Sequence, residues 1–227
     1  MKQKNLFTTR LLRNFLLIIS FLFLSLIIIC ALFAEFLMPY NPEASILSKA
    51  LCPPSKDHLF GCDLFGVDLL SEIILGSRTS VLISLSVVSL TTIIGCFLGS
   101  LAAFLRGWWD TVFLQITESL MALPAILLII AFGSIVEMSF FTIILALSLT
   151  GWMGPARLVR AKLLECREYD YVLASKAIGA NPTRLIIKHL LPNLITPLLV
   201  TAVFGIAGVI LTEATLSFLG LGAQNTI

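Results

Sequence analysis

Five stretches of this chain carry no Asp, Glu, Lys or Arg: Asn14 to Ala34, Thr79 to Leu105, Ser119 to Val136, Met138 to Ala156 and His189 to Thr212. Each is 18 residues or longer. A hydrocarbon layer about 30 Å thick takes about 20 apolar residues at a helical rise of 1.5 Å, so each stretch is long enough to span a membrane. Backbone polar groups in lipid must be satisfied within the segment, which selects helices or closed barrels. A barrel would show strands of about 10 residues with alternating polarity, whereas LLIISFLFLSLIII and PAILLIIAFG are apolar on every side. With 58% hydrophobic and only 12% charged residues, against about 25% charged in an average soluble domain, a soluble globule is excluded. The expected fold is an all-α polytopic membrane protein with about five transmembrane helices.

Basic residues set the orientation, because they collect on the cytoplasmic side. The N-terminal tail holds Lys2, Lys4, Arg10 and Arg13 and no acid. The span that follows lacks a small-residue cleavage site before Glu35, so it reads as a retained helix rather than a signal peptide. With the tail inside, alternation places Arg106 and the segment Arg157 to Lys188 inside as well, and twelve of the fifteen basic residues then face the cytoplasm. Only Lys49, Lys56 and Arg78 fall outside. The net charge of +2 is too mild to argue for nucleic acid. Three regions result: residues 1–37, a cytoplasmic tail and first span; 38–77, an extracytoplasmic loop with short helical pieces at most; and 78–227, the transmembrane domain with a cytoplasmic segment at 157–188.

The outer loop carries Cys52 and Cys62, while Cys30 and Cys96 fall in spans and Cys166 inside. An oxidising compartment permits a Cys52–Cys62 disulfide, and two unpaired loop thiols are the alternative. No metal-ligand spacing is present among the cysteines and histidines.

The inner segment reads ARLVRAKLLECREYDYVLASKAIGANPTRLIIKHLLPN. Gly179 suits a helix stop, where a left-handed backbone is least costly for glycine. Asn181 suits the following N-cap and Pro182 the first turn of a second helix, while Pro192 marks a break before the last span. The pattern predicts a helix, a tight corner and a helix, with small residues Ala174, Ser175, Ala177, Gly179 and Ala180 at the corner. Small side chains permit close approach by another protein, and Arg167, Lys176, Arg184 and Lys188 supply a charged rim. A basic loop on anionic lipid is the bland alternative.

The order of residues in that segment resembles the cytoplasmic signature of bacterial ABC importer permeases: Glu-Ala-Ala, three residues, Gly, nine residues, Ile, one residue, Leu-Pro. Leu173-Ala174-Ser175 stands at the first place, Gly179 at the glycine, His189 at the isoleucine and Leu191-Pro192 at the end. Leu173 and Ser175 depart from the general pattern. Three further segments resemble the dipeptide and oligopeptide permease subfamily, and within it the C-type second permease: HLFGCDLFGVDLLSEIILGSRTSVLISL, GWMGPARLVR and EATLSFLGLG. The likeness runs from about His58 to Gly222, and the first span and its loop fit in order. Gly66-Val67-Asp68 replaces a usual Gly-Arg-Asp, and Glu72 stands where Arg is common. The resemblance implies a sixth span beyond Ile227. It also implies a permease subunit of an ATP-driven peptide importer in the bacterial inner membrane, coupled through Leu173, Ala174, Ser175, Gly179, Ala180, His189, Leu191 and Pro192 to separate ATPases. The implied partners are a second permease subunit, two cytoplasmic ATPase subunits and an extracytoplasmic solute-binding protein, with ATP used by the ATPases and no cofactor or metal on this chain.

Within the spans, Glu213 is the candidate pathway residue, since an ionisable group there is costly and often lines a path; a position at the outer interface is its bland reading. Glu118 is expected to snorkel or cap the start of the third span. Gly95 and Gly99 form a small-xxx-small pair suited to helix packing, Gly205 and Gly208 also lie at a short separation in a span, and a gate is the alternative reading of these glycines. Pro124 and Pro197 remove helical hydrogen bonds and kink spans. No Gly-x4-Gly-Lys-[Ser/Thr] loop, His-Glu-x-x-His or nucleophile motif occurs, so no catalytic residue is expected. Two rivals stay open: a secondary transporter, which predicts inverted repeats and midplane charges, and a non-transporting assembly subunit.

Overall fold

The computed structural model describes residues 2–42, 47–170, 172 and 191–222. The described residues are helical throughout apart from turns and one isolated antiparallel bridge between Cys62 and Asp68. Two compact units divide the chain, residues 1–82 and 83–227.

In the first unit, α1 (Lys2–Leu32) begins within the basic tail, so that tail is itself helical. Its apolar stretch from Asn14 onward is exposed almost all round, which suits lipid, where an outward leucine has no water to avoid. A four-residue helix α2 (Ala34–Leu37) follows, and a 3-10 turn at Leu47–Lys49 opens the loop. The next helix, α3 (Leu69–Leu105), starts at Leu69 and not at Thr79, where the charge-free stretch begins. The loop read to Ser77 is therefore helical over its last residues. Glu72 and Arg78 sit comfortably in that first part, because α3 is about 55 Å long at 1.5 Å per residue and exceeds the hydrocarbon layer. The end of α1 is tied to this part of α3: Arg78 Nη1 donates to Glu35 Oε1 at 2.6 Å, and the Tyr40 N–H donates to Ser71 Oγ at 3.2 Å.

The second unit contains the rest of α3 and α4 (Trp108–Met121), α5 (Ala125–Gly133), α6 (Phe140–Gly151), α7 (Met153–Cys166) and α8 (Leu191–Phe218). Helices α6 and α7 act as one 27-residue span, Phe140–Cys166. Ser139 caps it, accepting from the Thr142 N–H while Thr142 Oγ1 accepts from the Ser139 N–H. This span continues well past Ala156, the end of the charge-free stretch.

The directions of the helices follow from who touches whom. Ile83 and Val87 of α3 share a buried cluster with Ile143, Ile144 and Leu147. A methyl of Thr91 lies 2.9 Å from where a Cβ on Gly151 would stand, Gly95 meets Pro155, and Ala103 packs with Val159 and Leu163. Both sequence numbers rise together, so α3 and α6–α7 run parallel. Parallel spans must be joined by a crossing in the opposite sense, and α4 with α5 supply it.

That crossing is the main departure from the sequence expectation. The stretch Ser119 to Val136 is not one helix. The chain breaks around Pro124, which precedes α5 in an extended conformation (φ −59°, ψ 121°), and α4 and α5 meet at 76°. The proline ring removes an N–H and disfavours helix in the residue before it. The two arms still traverse the unit: Asp110 of α4 pairs with Arg160, whereas Gly133 of α5 abuts Met138. Arg160 and Phe140, at the start of the α6–α7 span, lie about 30 Å apart by helical rise. Glu118, expected at a helix start, lies exposed in the last turn of α4, because the helix already begins at Trp108. Pro197, by contrast, is accommodated inside a continuous α8. This last helix runs antiparallel to α3, with Leu194 in the Ala103 cluster, Gly205 against Val88 and Leu216 in the Ile83 cluster.

Candidate functional site

Helices α3, α5, α6 and α8, with Pro155 of α7, line an open-sided cavity of about 290 Å³. Its walls are mostly methyl groups, with Ile129 and Ala125 from α5, Val87 and Val88 from α3 and Leu147 from α6. Thr91, Thr92, Thr150, Thr201 and Thr212 add hydroxyls. Several of these donate to their own helix: Thr91 to the Val88 carbonyl at 3.1 Å, Thr201 to Pro197 at 2.9 Å and Thr212 to Gly208 at 2.8 Å. An oxygen whose proton is already committed presents acceptor capacity only. Among the described residues no charged side chain lines the cavity, so it suits contacts with backbone-like N–H groups and apolar side chains better than charge pairing.

Glu213 stands one position beyond Thr212 but is not among the lining residues; its Oε1 accepts a 3.4 Å hydrogen bond from Ser217 Oγ. Gly205 and Gly208 do line the cavity. Gly95 and Gly99 lie where α3 crosses the start of α7. A Cβ on Gly95 would sit 2.7 Å from Pro155 Cβ and 2.9 Å from the Ala156 nitrogen, and one on Gly99 would strike the Ala156 carbonyl oxygen. The missing side chains are what allow these backbones to touch.

Of the signature residues, Leu173, Ala174, Ser175, Gly179, Ala180 and His189, with the predicted corner around them, lie outside the described residues. Leu191 and Pro192 open α8, with Pro192 in the first turn, where its missing N–H has no partner to lose. Val172 is fully buried with Leu163 and Leu194.

Charge counting did not single out two residues that the fold unites. Asp110 and Arg160 form a two-pronged ion pair: Nε donates to Oδ1 in a very short contact, and Nη2 donates to Oδ2 at 2.7 Å. Fifty positions separate them. The sequence signal was slight: each stands just beyond the end of a charge-free stretch that alternation places on the same side.

Above α3, the outer loop forms a clasp around Asp68. Cys52 and Cys62 are joined as a disulfide, which decides between the two alternatives left by the sequence. The Cys62 N–H donates to the Cys52 carbonyl at 3.0 Å, and the Leu51 N–H to that of Asp63 at 2.8 Å. Buried Asp68 accepts from the Ser71 N–H (2.9 Å), Ser71 Oγ (2.8 Å) and His58 Nδ1 (3.0 Å). Lys49 Nζ lies 3.3 Å from the other ring nitrogen of His58. Burial alone would push the Asp68 carboxyl up; the hydrogen bonds from Ser71 and His58 outweigh it and hold it below the usual carboxylate range. Val67 is buried, and its N–H donates to Asp63 Oδ1 at 2.7 Å. A His58 ring nitrogen and the Cys52 and Cys62 sulfurs lie within 4.8 Å of one another. The sulfurs are bonded to each other, which uses the thiolates that a metal would need.

Removing the bridge by Cys52→Ser with Cys62→Ser is expected to loosen this clasp by about 3 kcal/mol, the chain-entropy value for a loop of about ten residues. A membrane-impermeant maleimide checks the bridge: the two cysteines should react only after dithiothreitol, and prompt labelling without it would overturn the assignment.

Residues 92–226 match the family described as "Binding-protein-dependent transport system inner membrane component", and residues 5–54 match "N-terminal TM domain of oligopeptide transport permease C". The chain is 38% identical over 209 residues to the oligopeptide transport system permease protein OppC of Bacillus subtilis, covering 92% of this chain and 68% of that one. It is 36% identical over 215 residues to the dipeptide transport system permease protein DppC of the same organism, covering 95% and 67%. With the probable D,D-dipeptide transport system permease protein DdpC of Escherichia coli it shares 37% over 200 residues, covering 88% and 67%.

Proposed function

Since the chain belongs to the family of binding-protein-dependent transport system inner membrane components, we propose that it is one permease subunit of an ATP-driven peptide importer and forms half of the translocation path. The observation that carries this reading is the uncharged, threonine-dotted cavity between α3, α5, α6 and α8, set in a bundle whose similarity extends to permeases named for oligopeptides and dipeptides. A peptide of any sequence shares one backbone. Acceptor oxygens and methyl walls engage that backbone without selecting side-chain charge, leaving selection to the solute-binding protein.

The proposed assembly contains a second permease subunit, two cytoplasmic ATPase subunits and the extracytoplasmic binding protein, in the bacterial inner membrane. The basic ends of the helices face the cytoplasm, so the clasp around Asp68 faces the binding protein's side. ATP binds only to the partner subunits, and Leu173, Ala174, Ser175, Gly179, Ala180 and His189, with Leu191 and Pro192, receive their movement. Alternating access requires two states of similar free energy and an ATPase contact that differs between them. A lone transporter driven by an ion gradient has less support: among the described residues no charged group lines the cavity.

Co-expression with the four partners, followed by peptide-stimulated ATP hydrolysis in proteoliposomes, tests the reading; transport by the isolated chain under an ion gradient would sink it. Gly179→Trp should leave membrane insertion intact but cut ATPase recruitment at least tenfold by co-purification, and normal recruitment would remove 173–180 as the docking corner.

A further inference from the structure

Helix α7 precedes in the chain the segment from Leu173 to Pro192 that is proposed to receive the ATPases. It is held against α3 by the contacts of Gly95 and Gly99 with Pro155 and Ala156, and by the Arg167 guanidinium 5.8 Å from the centre of the Phe104 ring. Those contacts set the two helices backbone to backbone near Gly95 and Gly99. The contacts between α7 and α4 are different. Near the turn into α4 the link is the Asp110–Arg160 pair, both side chains about one-fifth exposed. Farther along, Trp152, which joins α6 to α7, faces Phe113 loosely at 6.5 Å, and Arg157 Nη1 donates to Met121 Sδ at 3.5 Å.

The first turn of α4 is set on a corner of left-handed backbone, Arg106 at φ 52° and Gly107 at φ 60°. At its other end α4 meets the 76° break before α5, whose Ala125 and Ile129 form part of the cavity wall. Helix α4 is thus an arm with a turn at each end. One end is gripped by α7 through a planar fork, and the other bears on the wall of the cavity. A two-pronged guanidinium–carboxylate contact resists rotation as well as separation, which a point charge does not.

We propose that Asp110 and Arg160 are positioning residues for transport: they pass displacement of α7 to α4, and through the Pro124 elbow to the cavity wall. This rests on the reading of the chain as an ATP-coupled permease. Neither residue touches substrate or ATP; the pair sets how much of the ATPase movement reaches α5.

The test uses the full complex in proteoliposomes and reads peptide moved per ATP hydrolysed. Asp110→Asn removes the charge, Arg160→Lys keeps the charge and removes the fork, and the double variant completes a cycle. Each single change is expected to lower the ratio about tenfold, with complex yield and basal hydrolysis unchanged. The double variant should be no worse than the poorer single one, because both act through one link. An unchanged ratio in either single variant would overturn the proposal, as would losses that multiply in the double. Failure of these conservative variants to assemble would make the pair a folding element and overturn it too. A parent complex that lacked peptide-stimulated hydrolysis would instead refute the permease reading itself, so the two failures are distinguishable.

Discussion

Gly99→Leu is expected to abolish accumulation of folded protein in the membrane. A Cβ at this position runs into the carbonyl oxygen of Ala156 and lies 3.0 Å from that carbonyl carbon and 3.1 Å from its Cα. All three are backbone atoms, so no rotamer change relieves the overlap. The helices must separate, and Ala103 would lose contact with Val159 and Leu163, which are almost fully buried in the same cluster. Overpacking costs about 1–3 kcal/mol where neighbours adjust, and the cost is larger where the neighbour is a helix backbone. Lipid offers no hydrophobic compensation, because the separated faces are as content with acyl chains as with each other. Gly154→Leu serves as the control: it lies on the same helix as Ala156, with nothing within 4 Å of its added Cβ. Immunoblots of membranes and size-exclusion profiles in detergent should show loss for Gly99→Leu and near-parental behaviour for Gly154→Leu. Equal yields of monodisperse protein would show that α3 and α7 do not meet as described.

Asp68→Ala should unfasten the outer clasp. Three donors converge on this carboxylate: two from Ser71 and one from His58. Truncation leaves them buried without an acceptor, at about 1–3 kcal/mol for each group that water cannot reach. Asp68→Asn keeps one acceptor oxygen and should be intermediate. Lys49 and Lys56 are exposed in the clasp, so tryptic cleavage after them in right-side-out vesicles reports its opening. Cleavage is expected to rise at least tenfold in Asp68→Ala, about 1.4 kcal/mol of opening free energy at the least, and parental resistance would remove Asp68 as the hub. The pH dependence has a definite sign. The native carboxyl is held below its usual value, so its contribution is complete above the usual carboxylate range and disappears as the pH falls through the lowered value. Acid should therefore open the parent and have less effect on Asp68→Ala.

The clasp shows how partly a sequence reveals such a unit. Gly61 and Gly66 have φ of 77° and 79°, and turns of this kind are what glycine signals. Asp63, which accepts from the Phe65 and Val67 N–H groups, is a local motif of the sort that spacing suggests. Asp68 with His58 is not, because they stand ten positions apart and are brought together by a disulfide-closed loop. Likewise the charge-free stretch Ser119 to Val136 marked a crossing but neither its extent nor its shape, since the first arm already begins at Trp108. Absence of charge reports compatibility with hydrocarbon and is blind to the elbow, for which Pro124 was the sole local sign.

What the sequence determined by itself was the solvent, the number of candidate spans, their alternation and the family resemblance through the cytoplasmic signature. These are properties of contiguous residues: about 20 uncharged positions suit one layer of lipid whatever lies beside them, and basic residues at the ends set direction independently of packing. The tertiary structure alone decided that α3 and α7 run parallel in backbone contact at Gly95 and Gly99, that α4 and α5 form one bent crossing, and that Asp110 meets Arg160. In lipid an apolar side chain is equally tolerated facing acyl chains or a neighbouring helix, so hydrophobicity cannot say which face packs. Only close approach at small residues and a few satisfied polar pairs break that degeneracy.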